Sequence, residues 1–280
     1  MRWLCLHGTG SSATIFQQQL ASICHPLQKN HTFHFIDAYH PCAPAAGIDL
    51  HYPEGPHTSW WTNPGSVSKI REACKRLHNH FIEHSSNPYG GVISFSRGCL
   101  LLKSYILFHQ AEKPAEPLPF QAAVFLCGGP VLSVLEELGI SVSPTAWDWD
   151  KRTKIALRER ASSKAIQKYG KDRWLTPGGN GDGELNIDPS TPINPTDVYG
   201  LDVSRAPEHL RIRIPTVHLY GRVDPRFPAS MQLMHLCDPE TRLSYQHEGG
   251  HNIPKSSATA EGIAEVIDQC ARMAENKANA

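Results

Sequence analysis

The sequence predicts a single α/β domain, a mostly parallel sheet with helices on both faces. Short, continuous apolar runs recur along the chain, as strands buried on both faces require. Helical patterns separate them, which suits parallel strands joined by crossover helices. The length of 280 residues is enough for one large domain with a full core, and no internal repeat is present.

Residues 3–6 read as a first buried strand, and Ser11 or Ser12 can cap a helix running to about Ile23. Residues 32–36 form a second strand. Ser66 or Ser68 opens a helix through about Phe81. Residues 91–95 make a third strand, followed directly by an apolar helix over 97–108. Residues 122–127 are a fourth strand, ended by Gly128-Gly129-Pro130, and 216–220 a fifth, ended by Gly221. A helix over 228–236, a sixth strand over 242–246 and a last helix over 258–276 complete the pattern. In such a sheet a ligand sits at the carboxyl ends of the strands.

The spacing between the fourth and fifth strands is far longer than a crossover needs. Residues 131–205 are therefore expected to form a lid or cap over the sheet's carboxyl edge. Within it, 151–173 is a basic helix candidate and 176–195, rich in glycine and proline, a loop.

Composition excludes several classes. Apolar residues make up 40% and charged residues 19%, so the chain is not disordered. Lys+Arg and Asp+Glu are both 27, which leaves no overall basic field for nucleic acid. No apolar run reaches the ~18 residues of a membrane span. The chain enters a strand pattern at once, without a secretory apolar region, and its eight cysteines form no CxxC pair. A reducing, cytoplasmic compartment is expected, with no disulfide framework and no zinc knuckle. The sixteen histidines read as scattered core and surface groups, so no metal site and no cofactor are expected.

The chemistry centres on Ser94-Phe95-Ser96-Arg97-Gly98, after a strand and before a helix. That is the setting of a nucleophile elbow, whose tight turn demands small residues two before and two after the nucleophile. Ser94 stands where glycine is usual. A serine hydroxyl needs a base to take its proton. Two partners follow on loops after later strands: Asp224 in Gly221-Arg222-Val223-Asp224-Pro225, and His251 in Gly249-Gly250-His251-Asn252. His251 would act as general base, then general acid, and Asp224 would orient its imidazole. His247, nearer the strand end, is a rival base. Stabilising an oxyanion takes two N–H donors, expected from Arg97 and from Thr9 in Leu6-His7-Gly8-Thr9-Gly10. A phosphate loop is the competing reading of this last segment, but no GK[ST] follows. Each piece alone also reads as an ordinary turn.

Together these residues resemble the fungal FSH-type serine hydrolases of the α/β-hydrolase superfamily. The likeness runs through Arg2-Trp3-Leu4-Cys5-Leu6-His7-Gly8, the elbow, Leu219-Tyr220-Gly221-Arg222-Val223-Asp224-Pro225 and Gly249-Gly250-His251. It spans about 1–130 and 205–275 and departs from the family pattern at Ser94 and Arg97. It implies a serine esterase or thioesterase with Ser96, Asp224 and His251 in the catalytic roles. Members include small carboxylesterases and free-standing thioesterases that release polyketides from a synthase. Two features lean toward the second group. Trp60 and Trp61, in a proline- and glycine-rich loop, are expected to wall a pocket for a long apolar acyl chain. The basic 151–173 segment is expected to meet an acidic acyl-carrier domain or a phosphopantetheine arm. The expected substrate is thus a polyketide or fatty acyl thioester on a carrier protein. A small-ester carboxylesterase, an acyltransferase and a non-catalytic scaffold are the alternatives.

Overall fold

Alternation within the first strand, β1 (Arg2–Leu6), decides which layer each side chain joins. Trp3 and Cys5 face one side of the sheet, and Leu4 and Leu6 the other. The structure is a computed structural model that describes residues 1–175, 185 and 187–278.

After β1 come α1 (Ala13–Leu27), β2 (Thr32–Ile36) and a small antiparallel pair, β3 (His40–Pro41) with β4 (Thr58–Ser59). Next are α2 (Val67–Glu83), β5 (Gly91–Phe95), α3 (Arg97–Glu112) and β6 (Ala122–Leu126). Three helices follow, α4 (Leu132–Glu137), α5 (Pro144–Arg160) and α6 (Ser163–Tyr169), and then short 3-10 turns. The chain closes with β7 (Thr216–Gly221), α7 (Phe227–His235), β8 (Arg242–His247) and α8 (Ser257–Ala278).

Six strands form one parallel sheet in the order β2-β1-β5-β6-β7-β8. Helices α1 and α8 cover the Trp3 and Cys5 face through Phe16, Leu20, Ile23, Ile263 and Ile267. Helices α2 and α3 cover the Leu4 and Leu6 face through Ile70, Leu77, Leu101, Leu102 and Tyr105. Burying each large apolar side chain stabilises the fold by about 1.5–3 kcal/mol. Packing of these apolar faces, more than propensity, holds the helices in place. Serines also fix the helix starts: Ser12 Oγ accepts from Ile15 N, and Ser66 Oγ from Lys69 N.

From β1 the chain moves outward to β2, then returns to pair β5 on the other side of β1. The strand order reverses there, so the loops after β1 and β5 diverge and leave a crevice at their carboxyl ends.

The mostly parallel sheet and its six main strands match the sequence reading. The stretch over 131–205 differs inside. In place of one basic helix over 151–173, the chain forms α5, α6 and a 3-10 turn. Local chemistry explains the division. Ser143 caps α5 and Pro144 follows at its first turn. Ser162 caps α6 through Ala165 N, which ends one helix and starts another, and Gly170 stops α6 with φ 54°. Most of the loop expected over 176–195 lies outside the described residues. Helix α1 also runs past the expected end at Ile23, with Pro26 in its last turn. The β3–β4 pair had no signal in hydrophobic periodicity, because each strand is two residues long.

Candidate active site

Strand β5 passes into α3 through Ser96, which takes φ 50° and ψ −111°. Left-handed φ is uncommon for a non-glycine residue, and strain of this kind clusters at functional sites. Gly98 is dictated by close approach: a Cβ there would collide with the Leu6 carbonyl. Ser94 is accommodated because its buried hydroxyl donates to Val124 O at 2.9 Å, inside the sheet. The elbow therefore holds without glycine at that position.

The loops after β7 and β8 bring two more groups to Ser96. His251 Nε2 lies 3.0 Å from Ser96 Oγ, and His251 Nδ1 lies 2.9 Å from Asp224 Oδ2. A carboxylate only accepts, so Nδ1–H donates to Asp224 and Nε2 is free to accept the serine proton. Asp224 Oδ1 accepts from Arg226 N at 2.8 Å. Burial opposes ionisation of Asp224. The charge and hydrogen bond of His251, with Arg226 behind them, outweigh it and hold the carboxyl below its usual value. His247, the rival, points elsewhere. Its Nδ1 accepts from Gly249 N at 3.1 Å, and burial lowers its basicity.

Two further residues bear on this constellation and carried no signal in the sequence reading. The Cys127 side chain packs against Asp224 and His251, their ligand atoms within 4.8 Å of one another. Its backbone takes φ 50° just past β6. Burial above all, and then the nearby Asp224 charge, push its thiol well up, so it stays protonated. Arg226 joins the acid loop to α5. Its guanidinium contacts Asp150 Oδ1 at 2.9 Å, Thr153 Oγ1 at 2.7 Å and Asp150 O at 3.0 Å. Proximity in space, not in sequence, makes both relevant.

The loop after β1 packs on the elbow: a Cβ on Gly8 would meet the Phe95 ring at 3.0 Å and Ser96 Cβ at 3.3 Å. His7 is buried and sets this loop. Its Nδ1–H donates to Gly8 O at 2.6 Å and its Nε2 accepts from Ala38 N at 3.0 Å. Burial lowers its pKa against the opposing pull of the Gly8 carbonyl and Asp37, consistent with a neutral ring. In a trans peptide the C=O and N–H point in opposite directions. With Gly8 O held by His7, the Thr9 N–H turns away from the His7 ring.

Arg97 differs from a simple N–H donor. Its guanidinium donates to Ser59 Oγ at 2.7 Å, Trp61 O at 3.3 Å and Asn63 Oδ1 at 2.8 Å, and lies 5.1 Å from the Trp61 ring centre. The side chain thus ties the 59–63 segment to the elbow. Trp61 lines the cavity, but Trp60 does not. Trp60 is fully buried in the core, and its Nε1 donates to His7 O at 2.8 Å. The expected pocket wall is therefore one tryptophan, and the other supports the loop after β1.

Ser96 and His251 open into a cavity of about 1800 Å³. Gly8, Thr9, Arg97 and Cys127 line it from the sheet side, and Trp147, Lys154, Leu157 and Arg158 from α5. Lys171 and Trp174, in the 3-10 turn after α6, also line it. A serine hydroxyl hydrogen-bonded to an imidazole that is itself held by a buried carboxylate can attack a carbonyl carbon. The Asp224 and His251 ligand atoms are already committed to each other, so the Cys127 group is not a free metal site. Among the described residues no helix is long and apolar enough to cross a membrane.

The family model for serine hydrolase (FSH1) matches residues 1–263. Esterase FPY3 of Fusarium mangiferae is 24% identical over 278 residues, covering 98% of this chain and 95% of its own. Esterase alnB of Emericella nidulans is 26% identical over 281 residues, covering 95% and 94%. Among solved structures, esterase PE8 aligns with a TM-score of 0.51 at 12% identity, covering 96% of this chain and 92% of its own. That likeness is one of fold, the α/β-hydrolase architecture.

Proposed function

This chain belongs to the FSH1 serine hydrolase family and is an ester-cleaving hydrolase, and from that premise we propose that Ser96, His251 and Asp224 carry its catalysis by way of an acyl-enzyme. The hydrogen-bonded chain from Asp224 through His251 to Ser96, at a strained elbow facing the cavity, is the observation that supports this reading best.

Ser96 Oγ attacks the acyl carbonyl as His251 Nε2 takes its proton. The N–H groups of Thr9 and Arg97 receive the developing oxyanion. Asp224 stabilises the imidazolium that forms. His251 then gives the proton to the leaving thiol or alcohol, and the acyl group stays on Ser96. In the second half, His251 activates water, and the acid leaves.

The substrate we infer is a polyketide or fatty acyl thioester on the phosphopantetheine arm of a carrier protein. Residues 131–205 act as the lid over it. Its support is the mixed wall of the cavity. Trp61, Leu100, Leu132 and Leu157 offer apolar surface to an acyl chain, while Lys154, Arg158, Lys171 and Lys255 offer cations to a phosphate or an acidic domain. Cytoplasmic action is part of the same proposal. A small-ester carboxylesterase is the second reading, favoured by the names of the two esterase relatives.

The test compares one acyl group presented as a carrier-domain thioester and as a nitrophenyl ester. Carrier release predicts a kcat/KM for the thioester at least tenfold higher, falling when Lys154 and Arg158 are replaced by glutamate. Equal or lower kcat/KM for the thioester contradicts carrier release and leaves the carboxylesterase. No Ser96-dependent turnover of either contradicts the catalytic assignment.

A further inference from the structure

A second constellation lies at the other end of the sheet. His34, in the middle of β2, pairs in register with Leu4, and His80 and His84 stand one turn apart at the carboxyl end of α2. Residues four apart share one helix face. One ligand nitrogen from each of the three rings lies within 4.8 Å of the others, and all three residues are partly exposed. The ring centres of His80 and His84 are 4.2 Å apart. The first residue of β5, Gly91, follows two positions after Tyr89, so the cluster sits at the amino edge of the sheet, away from Ser96.

The hydrogen bonds already position these rings, and Tyr89, with a single proton, can donate to only one of them. His84 Nδ1 meets His80 O at 2.9 Å, so that nitrogen carries the proton and leaves Nε2 as the ligand atom. His80 Nε2 lies 3.0 Å from Tyr89 Oη, which also contacts His34 Nδ1. Two of the three rings therefore meet at one phenol oxygen, to which Arg2 Nη2 also donates at 3.4 Å. Arg2 is the nearby cation: its guanidinium stacks over the Tyr89 ring at 4.1 Å and donates to Asn87 O.

We propose that His34, His80 and His84 form a site for a divalent transition-metal ion, which ties edge strand β2 to the end of α2. Imidazole donors suit zinc, and three of them leave a fourth position for Tyr89 Oη or water. Tetrahedral Zn–N bonds of about 2.05 Å need ring nitrogens about 3.4 Å apart. Closing from the observed spacing takes modest side-chain rotation, easiest for His84, the C-cap of α2. Partial exposure gives the ion a path in. The site differs in place and in chemistry from Ser96, and does not depend on the reading of that residue.

Full-length protein stripped with a chelator is titrated with CoCl2 and ZnCl2. The proposal expects one ion per chain, a tetrahedral Co2+ absorption without a thiolate charge-transfer band, and a higher Tm with Zn2+. His80→Asn and His84→Asn should each weaken binding by roughly tenfold or more. Both should leave circular dichroism and ester turnover unchanged, which separates lost ligands from lost fold. No saturable uptake by the wild type would overturn the site. So would a thiolate band, or wild-type affinity in a His34→Asn/His84→Asn variant.

Discussion

His247 ends β8 and His251 stands on the loop that follows, and hydrogen bonding gives them opposite fates. His251 is held between a buried carboxylate and a serine hydroxyl, while His247 is bonded to its own loop. His251→Ala is expected to abolish ester turnover, and His247→Gln to cost less than about tenfold, since His247 is bonded to Gly249 N and holds neither Ser96 nor Asp224 by a hydrogen bond among the described contacts. Steady-state kinetics on a nitrophenyl ester separates them. Asp224→Asn should lower kcat by roughly 10³–10⁴-fold, because an amide favours the wrong imidazole tautomer. Lys103 raises a different issue. It is fully buried on α3, its Nζ meets no hydrogen-bond partner among the described residues, and burial pushes its pKa down to about 8. A lysine depressed on folding costs stability where both states are protonated, below about pH 8. The cost fades as pH rises through the folded value toward the unfolded one near 10.4, so stability rises across that window. Lys103→Met should therefore stabilise at pH 7, on the order of 3 kcal/mol as an upper bound, and by less at pH 10. Urea melts at the two pH values measure this.

Elements show why some of the site was legible in the sequence and some was not. Short apolar runs marked the main strands, because a parallel strand buried on both faces tolerates little else. Once β5, β7 and β8 were placed, the elbow motif and the expected chain order put Ser96, Asp224 and His251 at their carboxyl ends, and the three residues do meet. Arg226, Cys127 and Trp60 had no such guide. Their relevance comes from contacts across the fold: Arg226 on α5, Cys127 on Asp224, Trp60 on His7. The 151–173 segment misled because its charge pattern is uniform while its caps are local. The Arg226–Asp150 pair is nearly buried at both ends and is the firmest link between α5 and the acid loop. Removing one partner of such a pair costs about 3–5 kcal/mol. Arg226→Ala should lower stability by that order, eased by Lys154, which also reaches Asp150. Ester turnover should fall with it, as read by kcat in the folded fraction.

At the scale of the whole molecule, the order of the sheet places the chemistry. The reversal between β2 and β5 opens the crevice, the elbow lifts Ser96 into it, and residues from α5 and the turn after α6 wall the far side. The histidine cluster occupies the opposite edge, so one fold can keep a reactive end and a metal-held end apart. Every proposed step of catalysis needs an activated Ser96. The direct measurement is the intact mass of wild type and Ser96→Ala after a fluorophosphonate probe, with circular dichroism confirming that both are folded. One adduct on the wild type and none on Ser96→Ala is the expected result. A folded wild type that takes no adduct, or a Ser96→Ala protein that takes the same one, would contradict the account.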